Sequence, residues 1–208
     1  MSAQNADIPA SDAQGADTRK PRKKVSVRAL VVLVLVALVV YGFDQLAKFL
    51  IVKNMVEGSQ VEVVGQLLQF HFVKNSGAAF SLATGSTWIF SIAAAAVTVF
   101  ILVFARRIRA FSWAVLFGML LGGTVGNLTD RLFREPGFGL GHVVDFIQVY
   151  GFPAIFNIAD SFIVASMGLF IILTLRGTNL DGRRVMHMVP VTSGDKAEPS
   201  EDGTQGRG

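Results

Sequence analysis

Asp160 stands in a long apolar stretch with no basic residue within two helical turns on either side. A carboxyl group so placed needs a partner from elsewhere in the chain, or a proton of its own. The nearest acid at a comparable level is Asp145, in the segment His142-Val-Val-Asp145-Phe146 ahead of Pro153. Proline at 153 suits the first turn of a helix, and the short connection over 148–152 can fold Asp145 back toward the top of that helix. Two carboxyl groups brought together away from bulk water do not both ionise readily, so one holds a proton while the other carries charge. Such a pair can activate water as a base and protonate a leaving amine as an acid, as in aspartic proteases. On spacing alone, a structural role and a proton relay stay open beside it.

Other polar residues cluster around the same level. Asp44 and Lys48 form an i, i+4 pair whose simplest reading is a salt bridge holding helix ends. Gly123, Gly126, Asn127, Asp130 and Arg131 recur at steps of three and four and make one stripe. Glycines on that stripe let a neighbouring helix come close. Asp130 and Arg131 read as structural, with Arg131 placed to pair with a carboxylate or to snorkel outward. Asn157, Asp160 and Ser161 share a face. At about 1.5 Å per residue, Asp44 lies roughly 24 Å from Arg28, Asn127 roughly 27 Å from Arg109, and Asp160 roughly 24 Å from Arg176. Three helices thus carry their polar groups at one depth.

The elements that must hold these residues are membrane helices. The chain has 208 residues, 51% of them hydrophobic and 16% charged, too apolar for an ordinary soluble domain. Four stretches of about 20 apolar residues, over 29–52, 87–105, 110–129 and 153–175, can each cross a bilayer. A basic flank and a long polar lead before the first, with no Ala-x-Ala site soon after it, favour a retained helix over a cleaved signal peptide. Arg19, Lys20, Arg22, Lys23, Lys24 and Arg28, then Arg106, Arg107 and Arg109, then Arg176, Arg183 and Arg184 lie on one side. The positive-inside rule therefore puts both termini in the cytoplasm and the loops 53–86 and 131–152 outside. Val61-Glu-Val63 and Leu68-Gln-Phe70-His-Phe72 alternate like half-buried strands around a Gly65-Gln66 turn, predicting a small outer sheet between the first two helices. Residues 1–26 and 177–208 read as disordered cytoplasmic tails flanking one domain over 27–176.

Composition also excludes functions. The basic residues sit at the ends of apolar runs without interleaved aromatics, which argues against nucleic acid. Cysteine is absent, so there is no disulfide, thiolate metal site or lipidated thiol. With only His71, His142 and His187 as imidazoles, no metal site and no cofactor are expected. A Ser–Lys peptidase using Lys48 with Ser81 or Ser161 competes weakly, since Asp44 already lies one turn from Lys48. A proton-coupled transporter would need polar groups continuing to the cytoplasmic side, where the helices are bare of them.

Five blocks together carry a resemblance. Asp44-Gln-Leu-Ala-Lys48, Asn75-Ser-Gly77-Ala-Ala-Phe80-Ser81, Gly122-Gly-Thr-Val-Gly126-Asn127-Leu-Thr-Asp130-Arg131, Val143-Val-Asp145-Phe146 and Phe156-Asn157-Ile-Ala-Asp160 resemble bacterial lipoprotein signal peptidase, signal peptidase II. The likeness covers about residues 28–176. It implies an all-α membrane protein of four helices with a small extracytoplasmic β-sheet cradle, acting as an aspartic endopeptidase in the bacterial cytoplasmic membrane. The implied substrate is a diacylglyceryl-modified prolipoprotein, cut on the amino side of its lipidated cysteine. Matching motifs make Asp145 and Asp160 the catalytic pair. Asp44, Lys48, Asn75, Gly77, Asn127, Asp130, Arg131 and Asn157 become supporting or substrate-binding residues. The amides of Asn75 or Asn157 would hold the substrate backbone or a developing oxyanion, and Gly77, Ala78 and Ala79 would let an extended substrate approach. Membrane lipids are the other expected partner, and nothing demands more than a monomer. Thr124 stands where the family usually has Ala, and the basic amino-terminal extension is long.

Overall fold

A computed structural model describes residues 25–77 and 87–182. The expected tails over 1–24 and 183–208, with Arg183 and Arg184, and the motif residues Ala78, Ala79, Phe80 and Ser81 lie outside the described residues. Helix α1 covers Val27–Asn54 and leads into strands β1, Gln60–Val64, and β2, Leu68–Asn75. Helix α2 covers Thr87–Phe104, tightens into a 3₁₀ turn at Ala105–Arg107, and is followed by α3, Phe111–Phe133. Strands β3, Val143–Val149, and β4, Ile155–Phe156, then precede α4, Ile158–Leu175. Four of the described helices are long and apolar enough to cross a membrane.

Helix boundaries follow local chemistry. Ser26 caps α1, accepting the Ala29 N–H at 3.4 Å, and Lys53 in the last turn complements the helix dipole. Along α1, Val31, Leu35, Leu38 and Phe49 are about half exposed, as suits a helix facing lipid. Helix α3 is the hub, because α1, α2 and α4 all pack on it. Its glycines permit this: a Cβ on Gly122 would stand 2.6 Å from the Ala37 carbonyl oxygen, and one on Gly123 would stand 2.7 Å from that of Ala159. The backbones of α1 and α4 both approach α3 here with no side chain between. Beneath the polar level, Leu33, Ala37, Ile101, Leu116, Phe117, Leu121 and Leu173 form a dry core.

The sheet is larger than the expected pair of strands. Its order is β1-β2-β3-β4, all antiparallel, so strands from both outer connections join. β2 pairs with β3 through Phe70↔Ile147, Val73↔Asp145 and Asn75↔Val143, with a one-residue bulge between Phe70 and Val73. Bulges turn a strand and re-aim its side chains, and this one lies beside Asp145.

Three expectations need correction. Helix α4 starts at Ile158 and not at Pro153, because the chain after β3 turns back as β4 and Asn157 supplies the cap. Helix α3 extends to Phe133, past the predicted end at 129, since Asp130 and Arg134 bridge its last turn. Residues 177–182, expected in a disordered tail, form a turn against α3: Trp113 Nε1 donates to the Thr178 carbonyl at 3.1 Å. The Leu180 carbonyl accepts the N–H groups of Arg109 and Ala110, each at 3.0 Å.

Candidate active site

A fully buried lysine organises the centre of the bundle. Lys48 Nζ lies 2.8 Å from Asp44 Oδ2, 2.8 Å from Asp130 Oδ2 and donates to Asn127 Oδ1 at 2.9 Å. An ammonium has three protons, so its capacity is filled. The expected Asp44–Lys48 pair is therefore present but belongs to a larger network. Asp44 Oδ1 accepts the Ala159 N–H at 2.9 Å, satisfying an amide that the first turn of α4 would leave orphaned. Gln45 donates to Asp44 and to the Gly126 carbonyl, each at 3.1 Å. A Cβ on Gly126 would stand 2.5 Å from Asp44 Oδ2, so the glycine makes room for the carboxylate.

Asp130 ties α3 to the sheet. Its Oδ2 accepts the Val144 N–H at 3.2 Å, and its Oδ1 accepts from Arg134. Holding Val144 holds its neighbour Asp145, which is 2% exposed. Asp145 accepts from Asn75 Nδ2 at 2.7 Å through one oxygen and from Asn157 Nδ2 at 2.6 Å through the other. Asp160 is half-buried in the first turn of α4. It accepts from Asn127 Nδ2 at 2.8 Å and from the Asn157 N–H at 3.2 Å, while its own N–H donates to Asn157 Oδ1 at 2.9 Å. Asn157 and Asp160 thus form a reciprocal capping box. This answers the need for an off-helix partner: Asp160 is held by α3 and by its own helix start.

Two asparagines join the aspartates. Asn157 Nδ2 also donates to Asn127 Oδ1 at 3.1 Å. Because Lys48 can only donate, Asn127 must turn its oxygen to Lys48 and its nitrogen to Asp160. The Asn157 oxygen faces the Asp160 N–H, which leaves its nitrogen for Asp145 and Asn127. The amide orientations are fixed by their neighbours. Burial, with the nearby Asp160 charge, pushes the Asp145 carboxyl up to about 6, against the opposing bonds from Asn75 and Asn157 and the Lys48 charge.

One wall comes from the end of β2. Asn75 Oδ1 accepts the Gly77 N–H at 2.7 Å, and Gly77 has φ of 94°, a left-handed conformation. Phe90 of α2 packs against Gly77, and the Arg131 guanidinium lies 5.2 Å from the Phe90 ring centre. Among the described residues, Arg131 Nη1 is buried without a hydrogen-bond partner. On the opposite side, an apolar recess of about 260 Å³ lined by Phe152, Phe156, Ser161 and Val164 opens on Asp160.

All ten residues singled out from the sequence contribute to this one region. Asp44, Lys48, Asn127, Asp130 and Asn157 form its interior, Asp145 and Asp160 its centre, and Asn75, Gly77 and Arg131 its wall. Sequence reasoning did not assign roles to Gln45, Phe90 or Arg134. Arg134 follows Asp130 at i+4, a spacing that signals the pair; Phe90 carries no such signal. Among the described residues, no group of three or more His, Cys, Asp or Glu side chains could hold a metal ion.

Comparison with known proteins agrees with this architecture. The family model for signal peptidase (SPase) II matches residues 36–176, from within α1 to the end of α4. A lipoprotein signal peptidase of Leifsonia xyli is 64% identical over 163 residues, 78% of this chain and 76% of that protein. One from Streptomyces coelicolor is 44% identical over 162 residues, 78% of this chain and 79% of that protein. A bacterial membrane enzyme solved by the in meso method at 1.9 Å resolution superposes with a TM-score of 0.64 at 31% identity, covering 76% of this chain and 99% of that one. A match of this extent, over the helices and strands that carry the polar network, shows that the chain belongs to the signal peptidase II family of membrane peptidases.

Proposed function

We propose that this protein is a membrane-embedded aspartic endopeptidase that removes signal peptides from diacylglyceryl-modified prolipoproteins, cutting on the amino side of the lipidated cysteine. One observation carries the reading. Two carboxyl groups from different elements, Asp145 on β3 and Asp160 on α4, are linked through the amides of Asn157 and Asn127 beside an apolar recess. Charge supports a shared proton. Asp44, Asp130, Asp145 and Asp160 face Lys48, Arg131 and Arg134, so one proton on the pair makes the cluster neutral.

In the proposed reaction the charged member of the pair takes a proton from water as its oxygen adds to the carbonyl carbon before the cysteine. The protonated member gives its proton to the carbonyl oxygen. Collapse of the tetrahedral adduct returns that proton, the amine nitrogen takes the other, the C–N bond breaks, and the pair again holds one proton. The recess of Phe152, Phe156 and Val164 suits a lipid-bearing residue arriving from the bilayer. Both protons of the Asn157 amide are engaged and one of Asn75's is, so these side chains act mainly on Asp145. Substrate carbonyls then fall to Arg131 Nη1, with the second Asn75 proton as support.

In the proposed orientation the bundle end away from the aspartates and both termini face the cytoplasm, and the site lies near the outer leaflet. Arg106, Arg107, Arg109 and Arg176, all at that end, support it through the positive-inside rule. Residues 27–176 act as the peptidase unit, taken as a monomer.

The rivals fit less well. Lys48 is engaged as an ammonium by Asp44, Asp130 and Asn127 and has no lone pair to act as a Ser–Lys base. Ser161 donates to the Asn157 carbonyl at 3.0 Å, and Ser81 lies outside the described residues. A proton relay would have to cross the dry core around Leu33, Ile101 and Leu116. The test is cleavage of a diacylglyceryl-modified prolipoprotein by wild type, Asp145→Asn and Asp160→Asn, each shown to be folded. Loss of cutting in both variants supports the pair; full activity in either one removes it.

A further inference from the structure

At the far end of the bundle lies a feature that peptide cleavage does not use. α2 and α4 flank α3, and a groove of about 420 Å³ runs between them, lined by apolar side chains including Phe104, Leu116, Leu120, Met167 and Phe170. Its wall is an interlocked aromatic set, with ring centres 5.6 Å apart for Phe104 and Phe117 and 6.0 Å apart for Trp113 and Phe170. Leu180 closes one end of the groove and also lines an adjoining cavity of about 450 Å³, whose other walls are Arg106, Arg107, Arg109, Asn179 and Asp181. The junction is held in place by the two hydrogen bonds to the Leu180 carbonyl. Charge and apolar wall meet directly there, since the Arg107 guanidinium lies 5.7 Å from the Phe104 ring centre.

A mouth of three arginines and one aspartate leading into an apolar groove matches an amphiphile with an anionic head. A bare acyl chain would bring no anion to a mouth of three arginines against one aspartate, and a free phosphate would leave the groove unfilled. We propose that these two cavities form one binding site for an anionic phospholipid, its phosphate among Arg106, Arg107 and Arg109 and an acyl chain along α3. Guanidinium forks suit phosphate oxygens, and basic pockets at the ends of membrane helices bind anionic head groups. Such a lipid would bridge α2, α3 and α4 from the leaflet opposite the aspartates. That this leaflet is the cytoplasmic one rests on the orientation proposed above; the site itself does not depend on the peptidase reading.

Native mass spectrometry of the purified full-length protein, offered equal amounts of dioleoyl phosphatidylglycerol and dioleoyl phosphatidylcholine, tests this. Wild type should retain the anionic lipid in preference. The Arg106→Gln/Arg107→Gln/Arg109→Gln variant should lose that preference by about a hundredfold, from roughly 1 kcal/mol for each of three basic residues near an anionic surface. Arg28→Gln, on the same side but outside both cavities, should keep it. Leu120→Trp, which fills the groove and leaves every arginine in place, should also weaken retention, so the outcome does not hang on membrane insertion of the triple variant. Glycerol phosphate should give no thermal shift where the full lipid gives one. Equal retention of the two lipids, an unchanged preference in both the triple and Leu120→Trp variants, or an equal shift with glycerol phosphate overturns the proposal. Absence of any retained lipid does so too and gives the groove to another occupant, such as residues 183–208. Prolipoprotein cleavage, measured on the same variants, should persist, which separates this site from the aspartate pair.

Discussion

Asn157 Nδ2 donates to Asp145 Oδ1 at 2.6 Å, from the residue that also caps the helix carrying Asp160. The contact sets the spacing of two carboxyl groups that lie on separate elements. Replacing Asn157 by Ala removes the tether and the cap together. Loss of the cap should cost about 1 kcal/mol of stability. Loss of the tether should lower kcat by about a hundredfold, the scale for catalytic groups displaced by an ångström. Asn157→Ser keeps a capping oxygen but cannot reach Asp145, so it should recover the thermal midpoint and not the rate. If both variants cut at the wild-type rate, the tether has no catalytic part.

The raised carboxyl of Asp145 makes stability depend on pH. Its pKa is pushed from 3.8 to about 6 in the folded protein, so between these values the folded state binds more protons than the unfolded one. Stability from this group is fully present below about 3.8 and is lost as pH rises through about 6. The thermal midpoint of wild type in detergent should therefore decline from pH 4 to 7 more steeply than that of Asp145→Asn, which has no proton to lose. Parallel curves would show that Asp145 is not perturbed by its surroundings.

Lys48 should matter for folding before it matters for chemistry. Lys48→Met leaves Asp44 and Asp130 buried at 0% exposure without their counter-ion. Breaking a buried ion cluster by removing one partner costs about 3–5 kcal/mol. Adding Asp44→Asn should restore part of that loss, because the remaining anion keeps Arg134. Unfolding of the single and double variants in detergent measures this, and an additive double variant would mean that the two residues are not coupled.

These predictions draw on features of unequal visibility in the sequence. The shared depth of Asp44, Asn127 and Asp160 is legible because helix rise is constant and ionisable groups are costly in a bilayer. The partners across helices are not legible, since no local rule says that Asn127 turns its oxygen to Lys48. The start of α4 is visible in Asn157-Ile-Ala-Asp160, which has capping-box spacing, but Pro153 offers a competing and incorrect start. β3 is hidden for a different reason. Val143, Val144, Asp145 and Phe146 are all buried, and their sequence lacks the apolar–polar alternation of Val61-Glu62-Val63 and Leu68-Gln69-Phe70, whose β1 residues prove exposed throughout. Its place between β2 and β4 is tertiary information.

Gly77, Phe90 and Arg131 act as one wall. An Ala at 77 would have to adopt φ near 94° and would set its Cβ 2.5 Å from Phe90 Cδ2. The ring would shift, and the guanidinium resting on it would move as well. Gly77→Ala should therefore raise KM more than it lowers kcat, and Phe90→Leu in that background should recover part of the loss by yielding space. Arg131→Gln tests the same wall from the other side. Hydrogen bonds to charged donors contribute about 1.5–3 kcal/mol, so loss of the Nη1 donor should lower kcat/KM by roughly ten- to a hundredfold, mainly through KM. An Arg131→Gln enzyme with unchanged KM and a lowered thermal midpoint would assign this arginine to folding and leave substrate carbonyls to Asn75.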